Sequence, residues 1–380
     1  MITSLTITNF KCFKNQQLTF KPLTLLAGLN STGKSSVLQS LLLLRQYYKQ
    51  QSLTEKGLLL NGDLINIGTA KDAIFKGASK QDKLGFEICW QDGKKGIWQF
   101  LNKEENLENN FLSLVTAPVD DNVYSSSLFN RNFHYIEAER IGPRTFNKMS
   151  YDKVQINGTL GNKCEYTIHF LEVNAYKPIF NSRLSHPKVK TSQQLDEPEI
   201  PSLDLQDQVE AWMGEISPGT RINIKANPEI DLINLRYGDN LRSTNVGFGL
   251  TYTLPIIVAV LAAERDTLIL VENPEAHLHP RGQTKMGELL ALAASCGVQV
   301  VIETHSDHVL NGICLAVHGG KLKPEDLQLH YFQRTEKAEQ AFIEVASPKI
   351  NRRGRIDQWP DGFFDEWDKS IEMLLEPVGE

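Results

Sequence analysis

Residues 4–10, Ser-Leu-Thr-Ile-Thr-Asn-Phe, alternate apolar and polar side chains with the period of two that lines one face of a strand. Leu18-Thr-Phe follows a lysine-bearing turn, so two paired strands are expected ahead of a third, the short apolar run Leu23-Thr-Leu-Leu-Ala. Helical spacing then takes over in Ser36-Val-Leu-Gln-Ser-Leu-Leu-Leu-Leu-Arg-Gln-Tyr-Tyr. Beyond it, Asn61-Gly62 and Asp92-Gly93 each sit between apolar runs, the signature of a hairpin, and together they predict an antiparallel β-lobe. Residues 103–132 are polar and end at an apolar strand, Phe133-His-Tyr-Ile. Pro187, Pro198 and Pro201, with few large apolar neighbours, predict an exposed loop inside a partly helical insertion.

From residue 242 the texture changes. A polar, glycine-bearing turn opens an apolar helix around Pro255, and Thr267-Leu-Ile-Leu-Val and Gly297-Val-Gln-Val-Val-Ile read as buried parallel strands. Leu329-His-Tyr-Phe-Gln and Ala341-Phe-Ile-Glu-Val are β features, and residues 359–375 have helical apolar spacing, expected to pack on the core.

Composition narrows the classes. Among 380 residues, 41% are hydrophobic and 23% charged, which excludes disordered and fibrous chains. Forty Lys+Arg against 46 Asp+Glu give a formal net charge of -6, so any nucleic-acid site must be a local patch, such as Lys188 with Lys190. Cys12, Cys89, Cys164, Cys296 and Cys314 form no C-x-x-C pair, the usage of a reducing cytosol. No apolar run reaches about 18 residues, and a soluble cytoplasmic protein without a membrane partner is expected.

The chemistry centres on Gly28-Leu-Asn30-Ser31-Thr32-Gly33-Lys34-Ser35-Ser36, which fits G-x-x-x-x-G-K-[ST] between strand and helix. Backbone N–H groups of such a loop curl around phosphate oxygens, and the helix N-terminus points its dipole at the anion. Lys34 is expected to reach the β- and γ-phosphates of a nucleotide, and Ser35 to ligate Mg²⁺. Asn245, Gly247 and Gly249 open the apolar helix that follows residue 242 and offer a second anion-facing turn. Glu272 ends one buried strand and Glu303-Thr304-His305 ends the next, and strand ends of this kind face a shared crevice. Arg140 and Arg144 flank a Gly-Pro turn at the end of the residue 133–136 strand, where a guanidinium could clamp an anion or simply pair a charge.

The order of phosphate loop, glycine turn, acidic strand and strand-end histidine resembles the ATP-binding-cassette class of ATPases, above all the branch of RecF, the chromosome-maintenance proteins and the overcoming-lysogenisation-defect (OLD) proteins. Leu5-Thr-Ile-Thr-Asn-Phe-Lys-Cys-Phe, Glu272-Asn-Pro-Glu-Ala-His-Leu-His-Pro, Glu303-Thr-His-Ser and Trp359-Pro-Asp-Gly-Phe-Phe-Asp carry the likeness. It implies an α/β fold, a P-loop ABC-type ATPase head with an antiparallel β-lobe and a partly helical insertion. The corresponding division is an N-terminal ATPase lobe (1–75), a β-lobe with the arginine turn (76–145), an insertion (146–240), a C-terminal ATPase lobe (241–345) and a terminal β-turn and helix (346–380).

The same resemblance makes residues 28–36 the Walker A loop, residues 245–251 the signature loop, Glu272 the Walker B acid holding Mg²⁺, and His305 the switch histidine. It also implies a head-to-tail homodimer closing over ATP, and a separate effector such as a nuclease, or DNA, as partner in anti-phage defence or repair. Two departures stand out. Asn273 occupies the place of the catalytic glutamate, leaving Glu275 as the nearest acid to align water, and no linking glutamine is identifiable. An amide cannot accept a proton, so slow hydrolysis or a non-hydrolysing regulator is implied. Two other readings weigh against these. An intrinsic nuclease of the OLD type needs an Asp-x-Asp pair, which the sequence lacks, and a zinc hydrolase would use His277, His279, His305, Asp307 and His308.

Overall fold

The computed structural model describes residues 1–50, 57–102, 107–187, 189, 202–337 and 340–376. In chain order its elements begin with β1 (Ile2–Phe10), β2 (Phe13–Thr19), β3 (Leu23–Gly28), α1 (Lys34–Lys49), β4 (Gly57–Leu59), α2 (Ala70–Ala73), β5 (Leu84–Trp90), β6 (Lys95–Leu101), β7 (Phe111–Thr116), α3 (Asp121–Tyr124), β8 (Phe133–Ile136) and β9 (Asn147–Lys148). A π-helix (Asp152–Ile156), α4 (Thr167–Asn174), α5 (Leu205–Ile216), β10 (Ile222–Asn227), β11 (Leu232–Tyr237) and β12 (Leu241–Arg242) follow. The chain continues through α6 (Phe248–Ala262), β13 (Leu268–Glu272), α7 (Pro280–Ser295), β14 (Gln299–Glu303), α8 (Asp307–His318), β15 (Leu327–Lys337), β16 (Gln340–Ala346) and α9 (Glu366–Leu375).

The central sheet runs β16-β15-β3-β14-β13-β8, parallel except for the β15–β16 hairpin. Its strands are apolar on both faces because both are covered. Leu268 and Leu270 face the cluster that holds α1 and the antiparallel sheet, while Ile269 and Val271 face the cluster built by α4 to α8. The antiparallel sheet, β2-β1-β5-β6-β7-β4, closes over α1, so residues 1–75 feed both sheets. This is the mixed α/β architecture expected of a P-loop ATPase head.

Four local expectations change. Leu58 and Leu59 pair with Leu112 and Phe111 of β7, while the turn at Asn61-Gly62 closes only a short return, with an antiparallel bridge between Asn61 and Asn66 and the Ile67 N–H donating to the Leu60 carbonyl. At its tip the Gln46 side chain takes the N–H groups of Leu64 and Ile65. The polar stretch before β8 contains β7. The insertion carries, besides α4 and α5, an antiparallel sheet of β9 to β12. Finally, α9 is not packed on the core. Phe363 is fully buried and stacks near Tyr331, whereas Trp367, Met373, Leu374 and Leu375 are exposed. Lys188, Lys190, Pro198 and Pro201 lie outside the described residues.

Candidate nucleotide-binding site

The loop of residues 28–33 leaves β3 at a backbone that only glycine tolerates. Gly28 has φ 141°, and a Cβ there would lie 2.2 Å from the Phe332 carbonyl oxygen on the paired strand β15. Gly33 has φ 98°, and a Cβ would meet Cys12 Sγ and the Phe13 ring. Thr32 Oγ1 donates to the Leu29 carbonyl, and Asn30 and Ser31 stay exposed. Lys34 is buried, and its ammonium donates to the carbonyls of Gly28 (2.9 Å) and Leu29 (2.7 Å). Burial lowers its pKa, with Glu303 acting in the opposite sense.

Ser35, at the start of α1, donates through Oγ to Glu303 Oε1 at 2.7 Å. Burial pushes the Glu303 carboxyl up to about 7; the Ser35 bond opposes that, and neighbouring Glu272 adds to it. Glu303 Oε2 is buried without a partner among the described residues. The parallel register sets Glu272 beside Glu303, so two acids end adjacent strands next to the loop. Glu272 in turn accepts from the Tyr135 hydroxyl (2.9 Å) and the Ala138 N–H (3.3 Å), and its pKa is raised chiefly by burial. Sequence reasoning placed Glu303 at the crevice but missed its bond to Ser35, which spans 268 residues.

The loop after Glu272 is fastened at several points. Asn273 has φ 44° and donates its N–H to the Glu303 carbonyl. Glu275 accepts from Thr304 Oγ1 (2.7 Å) and from the His305 N–H (2.9 Å), joining the two strand ends rather than capping its own turn. His305 is exposed, and its pKa is lowered by burial of the ring edge and then by Lys34. Arg140 does not face solvent. Its guanidinium is 1% exposed and donates to the carbonyls of Glu137, Tyr252, Glu272 and Asn273 at 2.8–3.0 Å, tying α6 to the end of β13. Arg144 is exposed.

Residues 245–251 straddle the start of α6, with Gly247 as its N-cap. Asn245 and Gly247 are exposed, and nothing lies within 4 Å of a Cβ built on Gly247. Gly249 differs, because its Cβ would come 2.7 Å from the His277 carbonyl oxygen. Among the described residues, no hydrogen bond joins Asn245, Gly247 or Gly249 to residues 28–36. The histidines are dispersed as well. His277 packs on Phe248 and Tyr252, His279 Nδ1 caps α7, and no group of three His, Cys, Asp or Glu that could hold a metal occurs among the described residues.

A phosphate loop, two adjacent strand-end acids and a strand-end histidine thus converge at one edge of a parallel sheet. Residues 1–139 and 147–310 match the family described as AAA ATPase domain. The chain belongs to the AAA ATPase domain family. ATP binding and hydrolysis follow from that membership. Residues 322–374 match a segment described as "Protein of unknown function (DUF3696)". No curated protein matches the chain. Among solved structures it is similar to an SMC head bound to the C-winged helix domain of ScpA, at 12% identity over 91% of this chain and 98% of that one, with TM-score 0.48. It is also similar to the SMC head domain of Thermotoga maritima (11%, 91% and 98%, TM-score 0.44). A third, the Smc head of Pyrococcus furiosus with an extended coiled coil, bound to the C-terminal domain of ScpA, gives 11%, 99% and 99%, with TM-score 0.43. At such identities the roles of individual residues rest on the geometry of this chain. No helix among the described residues is long and apolar enough to cross a membrane.

Proposed function

We propose that this AAA ATPase is a slow switch of the RecF, chromosome-maintenance and OLD-like branch. Two copies close head to tail over ATP, and the closed state controls a separate effector such as a nuclease, or engages DNA, in defence or repair. The observation that carries the reading is the convergence of Lys34, Ser35, Glu272 and Glu303 at the ends of β3, β13 and β14. The chain divides accordingly into ATPase lobes at 1–75 and 241–345, a β-lobe at 76–145, an insertion at 146–240 and a terminal segment at 346–380.

In this mechanism the Lys34 ammonium leaves the Gly28 and Leu29 carbonyls for the phosphates, while N–H groups of residues 30–36 surround them. The donor set fits Mg²⁺: a serine hydroxyl and the Glu272 carboxylate at the crevice, and beside them a buried Glu303 oxygen with no partner among the described residues. When bound, the ion neutralises phosphate charge. Asn273 can orient water but not take its proton. Glu275 is assigned that proton, and its bonds to Thr304 and His305 let it report the same event to the histidine that senses the γ-phosphate. Glu303 is the second candidate, because Oε2 has no other partner. Exposed Gly247 and Asn245 are free to meet the nucleotide of a second copy. Light scattering with a slowly hydrolysed ATP analogue tests the closure. A monomer that stays monomeric with saturating analogue rules the sandwich out.

A further inference from the structure

A cavity of 440 Å³ opens between α1, the edge strand β8 and the residues around the π-helix. That volume lies within the range of small-molecule sites, roughly 300–1,000 Å³. Its walls include Lys49 from the last turn of α1, Lys153 from the π-helix, and the rings of Tyr135 and Tyr166. We propose that the cavity is an effector site for a phosphorylated small molecule of mononucleotide size, held between Lys49 and Lys153 and sensed at the ATPase centre through Tyr135.

Charge supports the ligand class. Neither lysine forms an ion pair among the described residues. The Lys49 side chain is exposed, and its pKa is held down to about 8, first by partial desolvation and then by the cations of Arg45 and Lys153. Two cationic groups on one wall that repel one another, with no ion pair to either among the described residues, are stabilised by a bound dianion. The acids of the lining, Asp63 and Glu165, are answered differently. Glu165 Oε2 accepts the Lys163 N–H, whereas the Asn162 side chain donates to the backbone carbonyl of Asp63 and leaves that carboxylate on the rim. The wall also stores an unmet donor. Gln46 gives Oε1 to the N–H groups of Leu64 and Ile65, and Nε2 is buried with no acceptor among the described residues. A small shift towards an anion would satisfy it. The π-helix itself is a rare geometry that recurs at functional sites.

Tyr135 supplies the link. Its ring lines the cavity while its hydroxyl holds Glu272 at 2.9 Å, so a ligand that moves the ring alters the hold on that acid. This coupling rests on the ATPase reading; binding at the cavity does not.

The test uses pyridoxal 5′-phosphate on the Lys34→Ala chain, with borohydride reduction and peptide mapping, and inorganic pyrophosphate as competitor. At pH 8 about half of Lys49 is uncharged, against less than about 1% of an ordinary lysine. Labelling at Lys49 is expected to exceed that of any other lysine at least about tenfold, to be suppressed by pyrophosphate, and to fall in Lys153→Gln but not in Lys163→Gln. Uniform labelling, or labelling that pyrophosphate does not suppress, overturns the site. Hydrogen exchange then reads the coupling. Pyrophosphate should change exchange at residues 135–138 in Lys34→Ala and leave it unchanged in Lys34→Ala/Tyr135→Phe. No change in either overturns the coupling alone. Absent ATP turnover in the native chain with labelling intact overturns only the ATPase reading.

Discussion

The Ser35 hydroxyl donates to Glu303 Oε1 across 2.7 Å, and so ties the first turn of the phosphate-loop helix to the acid that ends the neighbouring strand. In a phosphate loop that hydroxyl is the one that meets Mg²⁺. On the proposed reading the hydroxyl oxygen would offer its lone pair to the ion while its proton stays in the bond to Glu303, so Glu303 orients the ligand.

In metal-free protein Glu303 should contribute stability that is lost as pH rises towards neutrality. Glu303 keeps its proton to about 7 when folded but only to its ordinary 4.5 when unfolded, so the folded chain binds the extra proton between these values. That contribution is full below the window and declines through it, by something of order 2 kcal/mol. Glu272 and Glu137, also raised by burial, act with the same sign, whereas His134, His169, His305 and His330, lowered by burial, act with the opposite one. The test is therefore a difference: in EDTA, the stability of the native chain relative to Glu303→Gln should be larger at pH 5.5 than at pH 7.5, by several degrees of melting temperature. The same pH dependence in the native chain and the variant would contradict the assignment.

Arg140 satisfies four carbonyls in a space closed to water. Arg140→Ala should destabilise by about 3 kcal/mol, because the carbonyls lose their donors. Arg140→Lys should recover little, since one ammonium cannot span α6 and the end of β13. Denaturant melts of the two variants decide this.

Gly247 and Gly249 should separate assembly from folding. Gly249→Ala forces a shift against the His277 carbonyl and should lower the melting temperature of the monomer. Gly247→Trp meets open space in one chain, so the monomer should melt normally, bind ATP and fail to associate. A Gly247→Trp chain that still dimerises with an ATP analogue would count against the head-to-tail interface.

The phosphate loop was legible because its chemistry is local: the glycines that permit positive φ, the lysine and the serine lie within nine residues. The parallel strands showed for a similar reason, as unbroken apolar runs. What stayed hidden depends on register between distant segments. Nothing near Ser35 announces Glu303, and nothing near Tyr135 announces Glu272. For Arg140 the sequence left an anion clamp and a paired charge both open, while the fold lays α6 over it and gives it carbonyl partners. The Asn61-Gly62 turn returns only for a short bridge to Asn66, and Gln46, from α1, takes the N–H groups of Leu64 and Ile65 at its tip. The terminal helix kept its spacing, but its anchor is Phe363, before the helix begins.

Glu275 and Asn273 divide the work on water. Glu275→Gln would place an amide donor against either Thr304 Oγ1 or the His305 N–H, and should remove most turnover, within the roughly 10²–10⁴-fold range of proton acceptance. Asn273→Glu should raise turnover or leave it unchanged. Steady-state rates of both, with Glu303→Gln alongside, assign the acceptor. Parent-like hydrolysis by Glu275→Gln would move the role to Glu303.

The central claim is that residues 28–36 hold ATP, and equilibrium binding of a fluorescent ATP analogue to Lys34→Ala tests it most directly. Among the described residues the Lys34 ammonium hydrogen-bonds the Gly28 and Leu29 carbonyls, at the exposed loop, so the variant should keep its circular dichroism and lose no more than about 1–2 kcal/mol of stability. Its affinity should fall at least about tenfold relative to the native chain, with turnover abolished. A folded Lys34→Ala chain that binds and hydrolyses ATP like its parent would contradict the account.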